Sequence, residues 1–133
     1  MATSNYNVVL EQYTQRHFIK TFIKKYKSAW DRTLKDIIAV CERIDTMLLY
    51  KRADLIKTSA SYKLVKLDFA VEGTRISPKS SGNRCILCID ENIRQVRILL
   101  VYSKADIAAR EETSWWKKEV FERYDDINKI FNS

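Results

Sequence analysis

Apolar residues follow a helical rhythm in the first part of the chain, after a short extended stretch. Residues 6–13 contain Val8, Val9 and Leu10 between polar neighbours, which predicts a first strand, with Thr14 as the cap of the helix that follows. From Gln15 onward, apolar side chains recur every three or four positions, and this spacing predicts an amphipathic helix on a basic background. Its stripe consists of Phe18, Ile19, Phe22, Ile23 and Tyr26.

A second helical stripe follows a break predicted at Lys27. Ser28 and Asp31 form a short capping box that restarts the helix. The three- and four-residue rhythm then continues to about Tyr50, through Trp30, Leu34, Ile37, Ile38, Cys41, Ile44, Met47 and Leu48. The two stripes together predict a helical hairpin.

The rhythm changes to a period of two after a charged connection predicted for residues 51–59. Residues 65–71 alternate apolar and polar side chains, as a half-buried strand does. Residues 73–82 hold both glycines and the only proline, which predicts a loop. Two apolar runs, 84–89 and 96–102, flank a polar turn and predict an antiparallel hairpin at the centre of the sheet.

A last helix is predicted after Thr113, which we assign as its cap. Its apolar stripe consists of Trp116, Val120, Tyr124, Ile127 and Phe131. The order is then one strand, two helices, three strands and a helix, so the predicted fold class is α+β with a mostly antiparallel sheet. A chain of 133 residues is expected to form a single domain, residues 1–133.

Charge favours a polyanionic partner. The chain has 24 Lys and Arg against 17 Asp and Glu, a formal net charge of +7. It has no apolar run long enough to span a membrane, and residues 1–5 lack the pattern of a leader peptide, so we expect a cytoplasmic protein without membrane contact. Three cysteines, an odd count, favour reduced thiols.

The residues that usually carry metal or nucleophilic chemistry are sparse. Cys85 and Cys88 have the spacing of a metal-binding pair but lack a second pair, and in a strand they would point to opposite faces. We therefore expect both in the core, and His17, the only histidine, at the surface. No cofactor or metal is predicted. What remains is a set of cations on or beside the strands: Lys63, Lys66, Arg75, Lys79, Arg84, Arg94, Arg97 and Lys104.

Several segments of the chain resemble the RelE/ParE toxin superfamily of toxin-antitoxin systems. They are residues 61–67, the run 80–84 that leads into an apolar strand, the acidic turn at residues 90–92, and residues 101–104. The resemblance covers residues 6–107 and implies a RelE/ParE-like fold. It also implies a cognate antitoxin protein as partner, and either cleavage of messenger RNA on the ribosome without a metal or inhibition of DNA gyrase.

The resemblance also implies the roles of individual residues in RNA cleavage. Arg84 resembles the arginine that contacts the scissile phosphate, Lys63 and Lys66 resemble a lysine pair, and Lys104 supplies a second cation. Tyr102 is a candidate for the family's proton-transfer tyrosine, as is Tyr124, because the equivalent stretch here is 108–110, without a tyrosine. The flanking cations Arg75, Lys79 and Arg97 are expected to bind RNA.

Three interpretations follow. The first is a RelE-like ribosome-associated endoribonuclease, in which cations stabilise the charge that builds on the phosphate while the RNA 2′-OH attacks it. The second is a ParE-like gyrase inhibitor or an inactive relative that acts through protein contacts. It is motivated by the missing tyrosine in the stretch 108–110 and by the spacing of Lys63 and Lys66. The third is a passive basic RNA-binding module. The oligomeric state is left open.

Overall fold

A five-stranded sheet forms the middle layer of the protein. The computed structural model describes residues 5–107 and 111–133. The strands are β1 (Asn7–Leu10), β2 (Ala53–Ser59), β3 (Tyr62–Phe69), β4 (Asn83–Asp90) and β5 (Gln95–Ser103). Their order is β1-β5-β4-β3-β2, with β1 parallel to β5 and the other pairs antiparallel. The α+β class and the central hairpin, β4 and β5, are confirmed.

The helices come before, between and after these strands. Those near the N-terminus are α1 (Gln12–Thr14), a π-helical turn (Gln15–Ile19), α2 (Lys20–Tyr26), α3 (Ser28–Glu42) and α4 (Ile44–Leu49). Those further along are α5 (Pro78–Ser81), a 3-10 turn (Lys104–Ile107), α6 (Glu112–Arg123) and α7 (Asp125–Asn132). None of the helices in the described ranges is both long enough and apolar enough to cross a bilayer.

Each face of the sheet carries its own apolar core. The first core lies between the sheet and the N-terminal helices, and it buries Trp30, Ile37, Cys41, Val65, Leu87 and Ile98 among others. The second core lies under α6 and α7 and buries Leu64, Ile86, Leu100, Trp116, Val120 and Ile127 among others. Because helices cover both faces, β4 and β5 are apolar on both sides, and their sequences are continuous apolar runs.

The first strand is shorter than predicted, and Thr14 is not a cap. The chain turns helical at Gln12, directly after β1, so α1, the π turn and α2 form one helical segment over residues 12–26. Thr14 is fully buried within it, and its hydroxyl accepts a hydrogen bond from the backbone N–H of Val101 at 2.8 Å. In the sequence, a threonine before an apolar stripe has the pattern of a helix cap. In the structure, its hydroxyl makes a tertiary hydrogen bond instead.

The break at Lys27 is confirmed, whereas the capping box after it is wrong. Lys27 has φ 52° and ψ −124° and separates α2 from α3, and α3 begins without a side-chain cap. The stripe up to Tyr50 is also two helices, because Arg43 leaves helical geometry between α3 and α4. The apolar rhythm continues through this kink because both helices pack on the same core.

Residues 51–59 are not a simple connection, since most of them form the edge strand β2. This strand is exposed along most of its length. Within residues 5–107 and 111–133 it pairs only with β3, with an irregularity between Leu55 and Lys57. An edge strand that is exposed on both faces has no buried positions to impose a period of two. The loop 73–82 is confirmed, except that its end folds into α5, capped by the side chain of Ser77.

The cap of the last helix is Glu111, and the prediction of Thr113 is wrong. The Glu111 carboxylate accepts hydrogen bonds from the backbone N–H groups of Thr113 and Ser114, at 3.2 and 2.6 Å. These bonds, first of all the one with Ser114, lower the pKa of Glu111. The helix is also interrupted at Tyr124, which separates α6 from α7.

Candidate functional site: a polar row on the second face of the sheet

Register places three polar side chains in a row across the central strands. Arg84 of β4 is directly opposite Asp68 of β3 on one side and Tyr102 of β5 on the other. Directly opposite residues in antiparallel strands point to the same face, and this is the face covered by α6. The structure therefore brings together Arg84 and Tyr102, two of the residues named from the sequence, and adds Asp68.

The row is closed by a carboxylate from α6. Arg84 Nε lies 3.1 Å from Asp68 Oδ1, an ion pair without the in-line geometry of a hydrogen bond, and 3.6 Å from Glu112 Oε2. The Tyr102 hydroxyl donates a hydrogen bond to the same Glu112 oxygen at 2.7 Å. The Arg84 side chain is only 12% exposed, so its charge is balanced mainly by these carboxylates and little by water.

Burial shifts the titration of two members of this cluster. It is the main cause that raises the pKa of Tyr102, and the hydrogen bond to Glu112 raises it further. The hydroxyl thus stays protonated at neutral pH and acts as a donor. Burial also raises the pKa of Asp68, although the nearby Arg84 charge partly opposes this.

The three lysines named as catalytic do not lie together. Lys66 is opposite Ile86 and therefore shares the face of Arg84, whereas Lys63 is opposite Ile89 of the first core. The prediction that the two lysines point to opposite faces is confirmed. Lys63 also forms an ion pair with Glu91 at 3.2 Å, away from the polar row. Lys104 is exposed just beyond β5, where its backbone N–H donates to the Gly82 carbonyl.

The cations named for RNA binding are dispersed. Arg97 lies on the face of Arg84 but is held by two carboxylates, Glu11 at 2.7 Å and Asp126 at 2.6 Å. These hydrogen bonds outweigh the effect of burial and raise the pKa of Arg97. Arg75 and Lys79 are exposed in the loop 73–82, with no acidic partner among the residues that the structure describes.

The largest run of cations without acidic partners was not singled out from the sequence. Residues 12–30 contain no Asp or Glu. Their cations are exposed and form no ion pair within the described ranges; they are Arg16, Lys20, Lys24, Lys25 and Lys27. The uninterrupted basic run was the signal that could have identified this surface. By contrast, Lys63, Arg84, Arg94 and Arg97 on and beside the strands all meet carboxylates.

The cysteines and the histidine occupy the positions expected of them. Cys85 lies in the first core and Cys88 in the second, so the two thiols diverge across the sheet. His17 is exposed on the π turn, with its ring 4.9 Å from that of Tyr13. Among the described residues, no three His, Cys, Asp or Glu side chains are grouped as a metal site.

The second candidate tyrosine serves a structural contact. The hydroxyl of Tyr124 donates to the backbone carbonyl of Leu99 at 2.7 Å and is buried. Tyr124 therefore does not join the polar row. The stretch 108–110, where the resemblance places a tyrosine in other members, lies outside the described residues.

Comparison of the chain with protein-family profiles, with curated protein sequences and with solved structures found no match in any of the three.

Proposed function

We propose that this protein is a RelE-like toxin that cleaves messenger RNA on the ribosome, with Arg84 as the residue that contacts the scissile phosphate. The observation that carries the proposal is the row of Asp68, Arg84 and Tyr102 across three adjacent strands. It combines a fixed positive charge, a protonated hydroxyl and carboxylates within hydrogen-bond reach. These groups suffice for general acid-base chemistry on a phosphodiester.

Each group has a distinct part in the proposed reaction. The RNA 2′-OH attacks the adjacent phosphorus, the bond to the 5′-oxygen breaks, and a 2′,3′-cyclic phosphate and a 5′-OH result. Glu112 accepts the proton of the 2′-OH, and the hydroxyl of Tyr102, which is protonated at neutral pH, donates one to the leaving oxygen. Arg84 stabilises the charge on the phosphoryl oxygens, with Lys66 on the same face.

Entry of a phosphate requires an exchange of partners at Arg84. Its contact with Glu112 is the longer of its two ion pairs, at 3.6 Å against 3.1 Å to Asp68. A phosphate oxygen that replaces Glu112 leaves the Asp68 pair in place to orient the guanidinium. The released carboxylate is then adjacent to the reacting 2′-OH.

The test is translation of a defined message by purified ribosomes, with cleavage mapped by primer extension. The wild-type protein is expected to cut translated message. Arg84→Ala is expected to slow cleavage about 10²- to 10³-fold, as loss of one charge-stabilising donor does. Arg32→Ala is the matched control, because Arg32 forms an exposed ion pair with Glu72 on α3 and the adjoining loop, away from the row. Folded wild-type protein that leaves the message intact would contradict the proposal.

Tyr102→Phe separates chemistry from binding in the same assay. It removes the proton donor while keeping the ring, so the rate should fall more than tenfold with little change in RNA affinity. An unchanged cleavage rate would show that the hydroxyl has no part in the reaction.

The partners implied by this function are the ribosome, its message and a cognate antitoxin, all in the cytoplasm. Coexpression with the product of an adjacent small gene is expected to restore growth. Failure of every neighbouring gene product to do so would contradict the toxin-antitoxin assignment.

One observation favours a second candidate, a protein that binds RNA without cutting it. Arg84 is largely buried and engaged by two carboxylates, whereas the longest run of exposed cations without acidic partners among the described residues lies on the segment 12–26 and at Lys27. Salt-dependent RNA binding by a wild-type protein that yields no cleavage product would support this candidate over the first.

A further inference from the structure

An open groove lined with aromatic rings runs beside the N-terminal helical segment. It has a volume of about 350 Å³ and lies between that segment, the end of β5 and the start of α6. Rings and polar groups share its walls, which include His17, Phe18, Thr21, Tyr102, Asp106 and Trp115. We name it the aromatic groove. Its volume falls within the range of about 300–1,000 Å³ that is usual for ligand pockets.

The aromatic rings of the groove are held in fixed positions. Trp115 packs edge-on against Tyr102, with ring centroids 5.0 Å apart, and against Phe18 at 5.9 Å. Phe18 and Trp115 are only partly buried, although both border the second core. Fixed rings with accessible surface offer a stacking platform to a planar ligand at little cost in side-chain entropy.

Exposed cations follow the same helical segment next to the groove. His17, Thr21 and Lys25 line the groove or its narrower extension, and the adjoining ridge consists of Arg16, Lys20 and Lys24. A negatively charged backbone that follows this ridge would therefore have its bases within reach of the rings.

We infer that the aromatic groove and the cations Arg16, Lys20 and Lys24 bind single-stranded RNA, with a base stacked in the groove and phosphates along the ridge. This combination of a basic track and stacking rings is how proteins bind single strands without sequence preference. The inference deepens the proposed function, since it places a binding track beside the polar row: Tyr102 lines the groove and contacts Glu112. A membrane surface fits less well, because Ile19 and Phe22 of this segment are buried and the half-exposed Ile23 lies among exposed lysines.

Binding is measured with 2′-O-methyl RNA, which lacks the nucleophile for the proposed cleavage. A labelled single strand of about 12 nucleotides and a duplex of the same length are compared by fluorescence anisotropy. The wild type should prefer the single strand, because paired bases cannot enter the groove. Equal affinity for both forms would overturn the inference.

The ridge is tested with the double variant Lys20→Gln, Lys24→Gln. Affinity falls with salt, and each lysine that contacts a phosphate makes the slope of log affinity against log salt steeper by about 0.7. Loss of both lysines should therefore make the slope shallower by about 1.4. The matched control is Lys51→Gln, Lys57→Gln, which removes two exposed charges at and before the β2 edge. An equal loss in both double variants would show that only net charge matters and would overturn the assignment to the ridge.

Trp115 provides a readout of the groove without any substitution. The other two tryptophans, Trp30 and Trp116, are each 1% exposed, so acrylamide quenching reports mainly on Trp115. Bound RNA is expected to protect Trp115 from acrylamide. Trp115→Ala should weaken binding of the single strand by about five- to a hundredfold and leave the salt slope unchanged. Quenching that does not change at saturating RNA would overturn the groove as the base site.

The two proposals fail separately. If Arg84→Ala abolishes cleavage while the lysine and tryptophan variants bind and cut RNA normally, the track is wrong and the polar row stands. If RNA binds along the ridge and protects Trp115 but is never cut, the track stands and the nuclease assignment is wrong.

Discussion

At the scale of single residues, acidic partners determine which cations can bind a phosphate without first breaking an ion pair. The sequence shows Arg84, Arg97 and Lys63 as a cluster of basic residues on strands, but the fold gives each of them a carboxylate. The carboxylates come from distant positions, such as Glu11 for Arg97, so sequence proximity does not reveal them. Asp68 shares a strand face with its near neighbour Lys66, but its ion pair is with Arg84 on the adjacent strand.

Thr14 supports the most direct stability prediction at this scale. Its buried hydroxyl accepts the hydrogen bond from the Val101 N–H, which has no water to replace it. Thr14→Val keeps the shape and removes the acceptor, so unfolding free energy in urea should fall by about 1–3 kcal/mol. Thr14→Ser keeps the hydroxyl and is the control, with a smaller loss from the missing methyl group. Equal losses in the two variants would show that packing rather than the hydrogen bond is responsible.

At the scale of elements, the joint between α2 and α3 stores backbone strain. Lys27 has a positive φ of 52°, which side chains with a Cβ rarely adopt. Its N–H donates to Ile23 O at 2.8 Å, and its carbonyl accepts from the Trp30 N–H at 3.0 Å, so both helix ends depend on this geometry.

Glycine at this joint should stabilise the protein. Lys27→Gly relieves the strain at a smaller cost in unfolded-chain entropy, so we expect unfolding free energy to rise by about 1 kcal/mol. Lys27→Ala removes the same charge but keeps a Cβ, and it should give no such gain. The two urea midpoints are compared directly; an alanine variant as stable as the glycine variant would attribute the effect to charge.

Elements with a buried face could be predicted from the sequence, and the exposed ones could not. α3 and the hairpin β4–β5 contribute many side chains to the cores, so their periodicity or apolar content is strong. Among the described residues, β2 contributes only Ala53 to a core. Its other side chains are largely exposed, so its sequence shows no apolar alternation. The predictions of helix caps were wrong because Thr14, Ser28 and Thr113 all have the side chain of a cap. The Thr14 hydroxyl is used by a tertiary contact, and the neighbouring Glu111 takes the cap position predicted for Thr113.

The candidate site was predictable only in part, for the same physical reason. Arg84 and Tyr102 could be named separately, but their meeting depends on the β4–β5 register, which includes an irregularity between Ile86 and Leu87. Glu112 reaches them through the packing of α6 on the second face. No local pattern indicates which residues that helix covers.

At the scale of the whole molecule, the helices on both faces change where function can be located. A half-buried sheet would expose its strand cations on one open face, but here α6 and α7 cover the face of Arg84 and Arg97. The net charge of +7 is therefore concentrated, as far as the described residues show, on exposed helix and loop positions such as Arg16, Lys20 and Lys79. Both proposals meet where the aromatic groove reaches Tyr102, at the boundary between this basic surface and the polar row.

The molecule as a whole should lose stability in mild alkali. Burial is the leading cause that raises the pKa of seven groups in the folded state: Tyr6, Tyr13, Cys41 and Cys88 to about 12, and Cys85, Tyr102 and Tyr124 in the same direction. Above the ordinary thiol value of 9.0, the unfolded chain releases protons that the folded chain keeps. The contribution of these seven groups to the free energy of unfolding is therefore complete below about pH 9. It declines as the pH rises through their folded pKa values.

The thiols begin this decline, because their ordinary pKa of 9.0 lies below the 10.0 of the tyrosines. Each fully buried thiol contributes up to about 1.4 kcal/mol of lost stability per pH unit above its unfolded pKa. The urea midpoint should therefore be flat from about pH 7.5 to 8.5 and fall steadily toward about pH 11. Cys41→Ala removes one such group, so its midpoint, although lower at neutral pH, should fall less steeply than that of the wild type. A wild-type midpoint that stays constant to about pH 11 would contradict the buried placement of these side chains.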